Sequence, residues 1–176
     1  MKYVFLDIDG VLNSGYSTKC DKSPNGWLGL DDDLIRNVQS LLTKEDTKVI
    51  LSSTWRRCSD GDLEWLQERL KAFNIVISDM TTCDISEDRR DLQIVDFINK
   101  NISSDDSFVI LDDSFLDVFR ESKLDKHYVP IEWKHGITKE DVMLADGILG
   151  RKVGNQKFGT EKYIVNREKR FSRKVE

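Results

Sequence analysis

The sequence lacks most of the devices that anchor or staple a chain. No apolar run approaches the ~20 residues of a bilayer span, so a transmembrane helix and a membrane partner are not expected. Met1 to Leu6 meet Asp7 too early to form the apolar core of a signal peptide. The three cysteines, Cys20, Cys58 and Cys83, are odd in number, far apart and without a CxxC. That argues against a disulfide frame or a cysteine zinc site, and the expected setting is a reducing cytoplasm. The two histidines, His127 and His135, lack metal-ligand spacing and read as packing or surface residues. There is no internal repeat and no low-complexity segment.

What remains is an ordinary globular composition. It is 39% hydrophobic and 34% charged over 176 residues, which suits one domain with one sizeable core. The net charge of -5 conceals an asymmetry. Residues 151–176 hold nine of the 27 basic residues and three of the 32 acidic ones, a net of +6, which leaves residues 1–150 at -11. The expected division is a domain over 1–150 and a basic C-terminal extension over 151–176. The extension either packs on the acidic body, stays solvated, or reaches a polyanion.

Short apolar runs alternate with amphipathic stretches along the domain. Tyr3 to Leu6, Lys48 to Leu51, Ile75 to Ile77, Phe108 to Leu111 and Tyr128 to Ile131 read as strands. Asp31 to Asp33 open a helix with Leu34, Ile35, Val38, Leu41 and Leu42 on one face. Ser59 or Asp60 can cap a second helix carrying Leu63, Leu66, Leu70 and Phe73. Leu92, Val95 and Ile98 mark a third helix, Leu116 to Glu121 a short fourth, and Thr138 to Leu149 a fifth that ends near Gly150. Residues 13–30 and 79–89 are loops by composition, and Tyr163 to Val165 give a weak strand signal in the extension. Alternating strands and helices predict an α/β fold, a Rossmann-like parallel sheet of about five strands with helices on both faces. The expected strand order is 5-4-1-2-3.

Parallel sheets of this kind bind ligands beyond the carboxyl ends of their strands, where this chain places its unusual polar residues. Strand one ends in Asp7 and Asp9, strand two in Ser52 and Ser53, strand four in Asp112 and Asp113. Four carboxylates at one edge repel unless a cation joins them, and hard oxygen donors suit Mg2+. An aspartate can attack a phosphate ester when its charge is screened, which splits one hard displacement into two easier ones. A second acid two residues later, beyond a turn at Gly10, is placed to protonate the leaving group and then to activate water. Taken alone, Asp112 and Asp113 could also be a helix-capping pair.

The segment Asp7-Ile8-Asp9-Gly10-Val11, the hydroxyls after strand two and the acid pair after strand four resemble the haloacid dehalogenase superfamily of phosphatases, over residues 3–120 and toward 150. The resemblance implies that Asp7 is the nucleophile and a metal ligand, and that Asp9 is the general acid/base with its backbone carbonyl on the metal. It implies that Ser52, with Ser53 beside it, binds phosphoryl oxygens. Asp113 is the implied metal ligand of the acid pair, with Asp112 contributing instead or as well. The family's phosphate-neutralising lysine ahead of strand four has no counterpart here. Arg90 is the preferred replacement, with Arg89 and Arg56 as rivals, since a guanidinium fork matches phosphate geometry. The connections after strands one and two are too short for a full cap domain, so an open site shaded by residues 13–30 is expected.

Leu51-Ser52-Ser53-Thr54-Trp55-Arg56 is similar to a branch of that superfamily associated with RNA repair and phage proteins. Trp55 either stacks a base beside a phosphate or packs over the sheet edge. Asn13 is a further substrate candidate. Trp27, Trp65 and Trp133 read as core or half-buried residues. The expected activity is Mg2+-dependent hydrolysis of a phosphomonoester, with a nucleotide or nucleic-acid end as the favoured substrate. A phosphoprotein or a small metabolite is an alternative substrate, and transfer to another acceptor an alternative outcome. Two further readings are a phospho-acceptor signalling domain and a catalytically silent nucleic-acid-binding protein.

Overall fold

The computed structural model describes residues 1–159 apart from 19, 28, 43–45, 59, 60, 86–88 and 115. Five strands, β1 (Lys2–Leu6), β2 (Thr47–Leu51), β3 (Ile77–Met80), β4 (Ser107–Asp112) and β5 (Tyr128–Pro130), form one parallel sheet. The order is β3-β2-β1-β4-β5, the expected order read from the other edge. The helices are α1 (Asp32–Leu41), α2 (Asp62–Lys71), α3 (Arg90–Asn101), α4 (Leu116–Glu121) and α5 (Lys139–Leu149).

Successive side chains of a strand point to opposite faces, and the core divides accordingly. Val4, Leu6, Val49, Leu51, Val109 and Leu111 face α1, α2 and α5, meeting Ile35, Val38, Leu66, Leu70, Ala145 and Ile148. Tyr3, Phe5, Ile50, Phe108 and Ile110 face the other way, onto Ile94, Phe97 and Ile98 of α3 and Phe119 of α4. β1 and β4 are buried on both faces, which is why they are unbroken apolar runs.

The third strand starts later than its apolar triplet. Ile75 is buried in the connection after α2, Val76 is 64% exposed, and pairing to β2 begins at Ile77, skips Ser78 at a register shift and resumes at the polar Asp79. An edge strand needs only one apolar face, so the triplet marks a core contact rather than the strand. The cap expected from Ser59 or Asp60 lies outside the described residues, as does the signal at Tyr163 to Val165. At the start of α2 stands Gly61, with a φ of 88° and no side-chain cap. The described part of the extension, residues 151–159, packs near the amino-terminal end of β4. There Val153 N–H donates to the Asp106 carbonyl, Gly154 N–H to that of Ser104, and Phe158 meets Phe108 edge-on at 5.4 Å. Among the described residues no helix is long and apolar enough to cross a membrane.

α5 is closed by a capping box, in which the Thr138 hydroxyl accepts from Asp141 N–H and the Asp141 carboxylate accepts from Thr138 N–H at 2.9 Å. Thr138→Ala removes one half of that reciprocal pair. The expected cost is about 1 kcal/mol, read in urea denaturation as a lower midpoint at unchanged slope.

Candidate active site

The sheet register builds the site. Leu6 is level with Leu51 on one side and Leu111 on the other. Each ladder runs one step further, with Ser52 N–H donating to Leu6 and Asp7 N–H to Leu111, both at 3.0 Å. Asp7, Ser52 and Asp112 therefore emerge side by side at the carboxyl edge. The chain's crossovers reverse direction between β1 and β4, which opens the crevice where such folds bind ligands.

Asp7 and Asp112 are buried, at 3% and 0% exposure, and Asp113 is more open. One carboxylate oxygen from each of the three lies within 4.8 Å of the others. Gly10, at a φ of +74°, lies directly under Asp113, and a Cβ there would collide with that carboxylate. The turn after β1 thus needs glycine both for its backbone and for the approach of the third acid.

Arg90 is the cation that joins them. Its Nη1 donates to Asp112 Oδ2 at 2.7 Å and also to Asp7 Oδ2. The position breaks a local rule, because α3 opens with Arg89 and Arg90 and has no side-chain cap, so positive charge sits at the positive end of the helix. The two ion pairs offset that conflict. Burial opposes the charge on Arg90, but Asp112 and Asp7 outweigh it and hold the guanidinium protonated. Burial, reinforced by the charge of Asp112, pushes Asp7 up to about 7 against the pull of Arg90, the Ser53 hydroxyl and Ile8 N–H. Burial and Asp112 likewise raise Asp113.

The two serines divide. The Ser53 hydroxyl lies beside Asp7, where it opposes the rise in its pKa, and caps the 3-10 turn Thr54–Arg57. The Ser52 hydroxyl is fully buried and has no hydrogen-bond partner. Asp9 is held by the loop chemistry. Its Oδ2 accepts from Trp55 Nε1 at 3.0 Å and its Oδ1 from Asn13 Nδ2 at 2.9 Å.

Several candidates brace the loops around the acids, and Trp55 takes the packing alternative of its two expected roles. Trp55 is 1% exposed, stacked on Trp65 at 6.0 Å and tilted against Trp27 at 6.1 Å, so no open face remains for a base. Asn13 is buried, accepts from Gly10 N–H and donates to the Gly29 carbonyl, which makes it a brace of the loop rather than a substrate contact. Arg56 is buried and donates to the Ser52 and Ser53 carbonyls and to Gln93, beneath the turn it belongs to. Arg89 makes a two-point pair with the buried Asp91, at 3.0 and 2.9 Å. Of the three arginines, Arg90 alone pairs with the acids of the site.

Two contributors carried no sequence signal. The Tyr128 hydroxyl donates to the Asp112 carbonyl at 3.1 Å and to that of Ser114, fixing the acid loop from β5. Gln93, buried on α3, ties Arg56 to the Ile85 carbonyl. Neither belongs to a motif; the strand order brings Tyr128 here, and the packing of α3 beside the turn brings Gln93.

A family model described as the HAD domain in Swiss Army Knife RNA repair proteins matches residues 3–142. The chain belongs to this HAD family. The match spans β1 to the first turn of α5 and so contains every site residue above. The chain is also similar to a solved D,D-heptose 1,7-bisphosphate phosphatase from B. bronchiseptica, complexed with magnesium and phosphate. That structure is 20% identical with a TM-score of 0.47, over 69% of this chain and 75% of the other. No curated protein sequence matches the chain.

In this HAD domain three hard oxygen donors converge on one point, which fits a small divalent cation such as Mg2+. The metal-free site is costly. Because Asp7 titrates near 7 when folded and near 3.8 when unfolded, the folded chain binds the extra proton between those values. Stability of the metal-free protein therefore falls as pH rises through that window. Asp7→Asn removes the buried charge. It should stabilise the metal-free protein at pH 8 by on the order of 2 kcal/mol in urea denaturation, and the gap should narrow toward pH 5.

Proposed function

We propose that this HAD-family phosphatase hydrolyses phosphomonoesters through a phosphoryl group carried on Asp7, with Mg2+ as cofactor and a nucleotide or nucleic-acid terminal phosphate as substrate. The observation that carries the reading is the setting of Asp7. It is a buried carboxylate at the sheet edge, touched by Arg90 and Ser53, with two further acids at ligand distance.

In the first step an Asp7 oxygen attacks phosphorus as the ester P–O bond breaks, and Asp9 gives its proton to the departing oxygen. In the second step Asp9 takes a proton from water while the water oxygen attacks phosphorus. The bond to Asp7 breaks, inorganic phosphate leaves, and both aspartates return to their starting state. Arg90 and the Ser52 hydroxyl, with Ser53 beside it, bind the non-bridging oxygens, the guanidinium matching the charge and geometry of the transferring group. Mg2+, when bound by Asp7, Asp112, Asp113 and the Asp9 carbonyl, supplies charge screening between the anionic nucleophile and the phosphate. A persistent phosphoaspartate would need no second acid, whereas Asp9 is held by two donors beside the turn. The chemistry resides in residues 1–150, and the nucleic-acid end as substrate rests on the RNA repair proteins in the family's description.

The test is turnover with and without Mg2+ on an aryl phosphate, nucleotides, and oligonucleotides phosphorylated at the 3′ or 5′ end. Activity should require Mg2+, and Asp7→Asn should lower it about a thousandfold or more. Turnover surviving in Asp7→Asn overturns the assignment. Because Asp7 must lose its proton to hold a cation, Mg2+ binding should also weaken as pH falls below about 7. The loss should approach tenfold per pH unit, measured by calorimetric titration, and a flat profile contradicts it.

A further inference from the structure

We propose that Trp55 and Asn13 form a two-donor clamp that orients the Asp9 carboxyl for proton transfer, with Trp55 the positioning residue that sets its direction. The inference rests on the role given to Asp9 above and deepens it.

Each oxygen of Asp9 takes one donor, the indole Nε1–H at 3.0 Å and the Asn13 amide at 2.9 Å. A carboxyl group has two lone-pair sites on each oxygen, so this leaves positions free for the transferred proton while fixing the plane of the group. The clamp is rigid on the indole side. Trp55 is 1% exposed, stacked on Trp65 at an interplanar angle of 25° and tilted against Trp27 at 58°, so its buried ring is held by two neighbours and its N–H has one direction. The turn that carries it is fixed as well. Ser53 caps Thr54–Arg57, and Arg56 holds the carbonyls of Ser52 and Ser53 from below while its Nη2 reaches Gln93 on α3.

The run Ser52-Ser53-Thr54-Trp55-Arg56 then reads as one device. Ser53 addresses Asp7, Trp55 addresses Asp9 two residues further along the other strand's loop, and Arg56 holds the turn that spaces them. A tryptophan that only packed could satisfy its N–H on any nearby carbonyl. Here it reaches across 46 positions of sequence to the one carboxylate assigned to proton transfer. Asn13 completes the arrangement from the other side, because its amide nitrogen donates to Asp9 while its amide oxygen accepts from Gly10 N–H and so ties the clamp to the turn under Asp113.

A misdirected proton donor harms poor leaving groups most, since a good leaving group departs without help. The experiment compares kcat/KM for an alkyl phosphate and for p-nitrophenyl phosphate, with Mg2+, in the wild type, Trp55→Phe and Asp9→Asn. Trp55→Phe keeps an aromatic ring and removes the N–H. A second variant carries β-(3-benzothienyl)alanine at position 55, which has the shape of tryptophan and no donor. Both should lose about tenfold or more on the alkyl ester beyond any loss on the aryl ester, and Asp9→Asn should show the same selectivity more strongly. Equal losses on the two esters, as purely structural damage would give, overturn the clamp while leaving the underlying mechanism standing. If Asp9→Asn itself is not selective, or the wild type turns over neither ester, the role of Asp9 falls and the clamp falls with it. The hydrogen bond has its own readout. The indole N–H resonance of Trp55, assigned by its loss in Trp55→Phe, should shift in Asp9→Asn, and an unmoved resonance overturns the clamp independently of turnover.

Discussion

Three carboxylates at ligand distance from one another, two of them buried, are the constraint around which this chain is arranged. Like charges this close in a low-dielectric setting repel by several kcal/mol, and neither burial nor backbone hydrogen bonds alone remove that cost. The parallel register forces the meeting, because Asp7 and Asp112 continue adjacent strands from the same level. Arg90 makes it tolerable by donating to both. Much of the surrounding detail follows from holding this cluster in place, including the glycine beneath Asp113 and the Tyr128 hydroxyl on the acid loop.

The same constraint explains where the chain departs from stable design. A helix that opens on two arginines without a cap, a buried aspartate raised to about 7 and a buried serine hydroxyl with no partner all work against stability. They lie within one small region at the carboxyl edge of the sheet. Local conflicts gathered at one point are what a site for anion chemistry requires, since a fully satisfied cluster would have nothing left to offer a substrate. The rest of the domain is conventional, with two apolar faces, a capping box on α5 and acids in the first turns of α1 and α2.

The architecture was legible because buried parallel strands are apolar on both faces and end abruptly in acids. The five parallel strands and the helices between them follow from that pattern, while the strand order is that of the fold which the resemblance implies. The edge strand was displaced because Ile75 to Ile77 serves the core with one residue, exposes another and starts the strand with the third. Within the site, Asp7, Asp9, the serines and the acid pair were readable from their places at strand ends. The choice among Arg56, Arg89 and Arg90 was decided by geometry, since each arginine has a carboxylate, carbonyl or amide oxygen within reach and of the three Arg90 is the one that donates to the site acids. Trp55 was the harder case. Its sequence neighbours suggest a stacking platform, whereas its N–H and not its ring face is what meets the site, and Trp27 and Trp65 pack against its ring.

The central claim is that phosphorus passes through a covalent bond to Asp7. The most direct measurement is an acid quench during turnover of a radiolabelled phosphomonoester, followed by hydroxylamine treatment and peptide mapping. The account predicts a hydroxylamine-labile label on the peptide containing Asp7, absent from Asp7→Asn. A label on any other residue, or turnover with no labelled protein at any quench time, would contradict it.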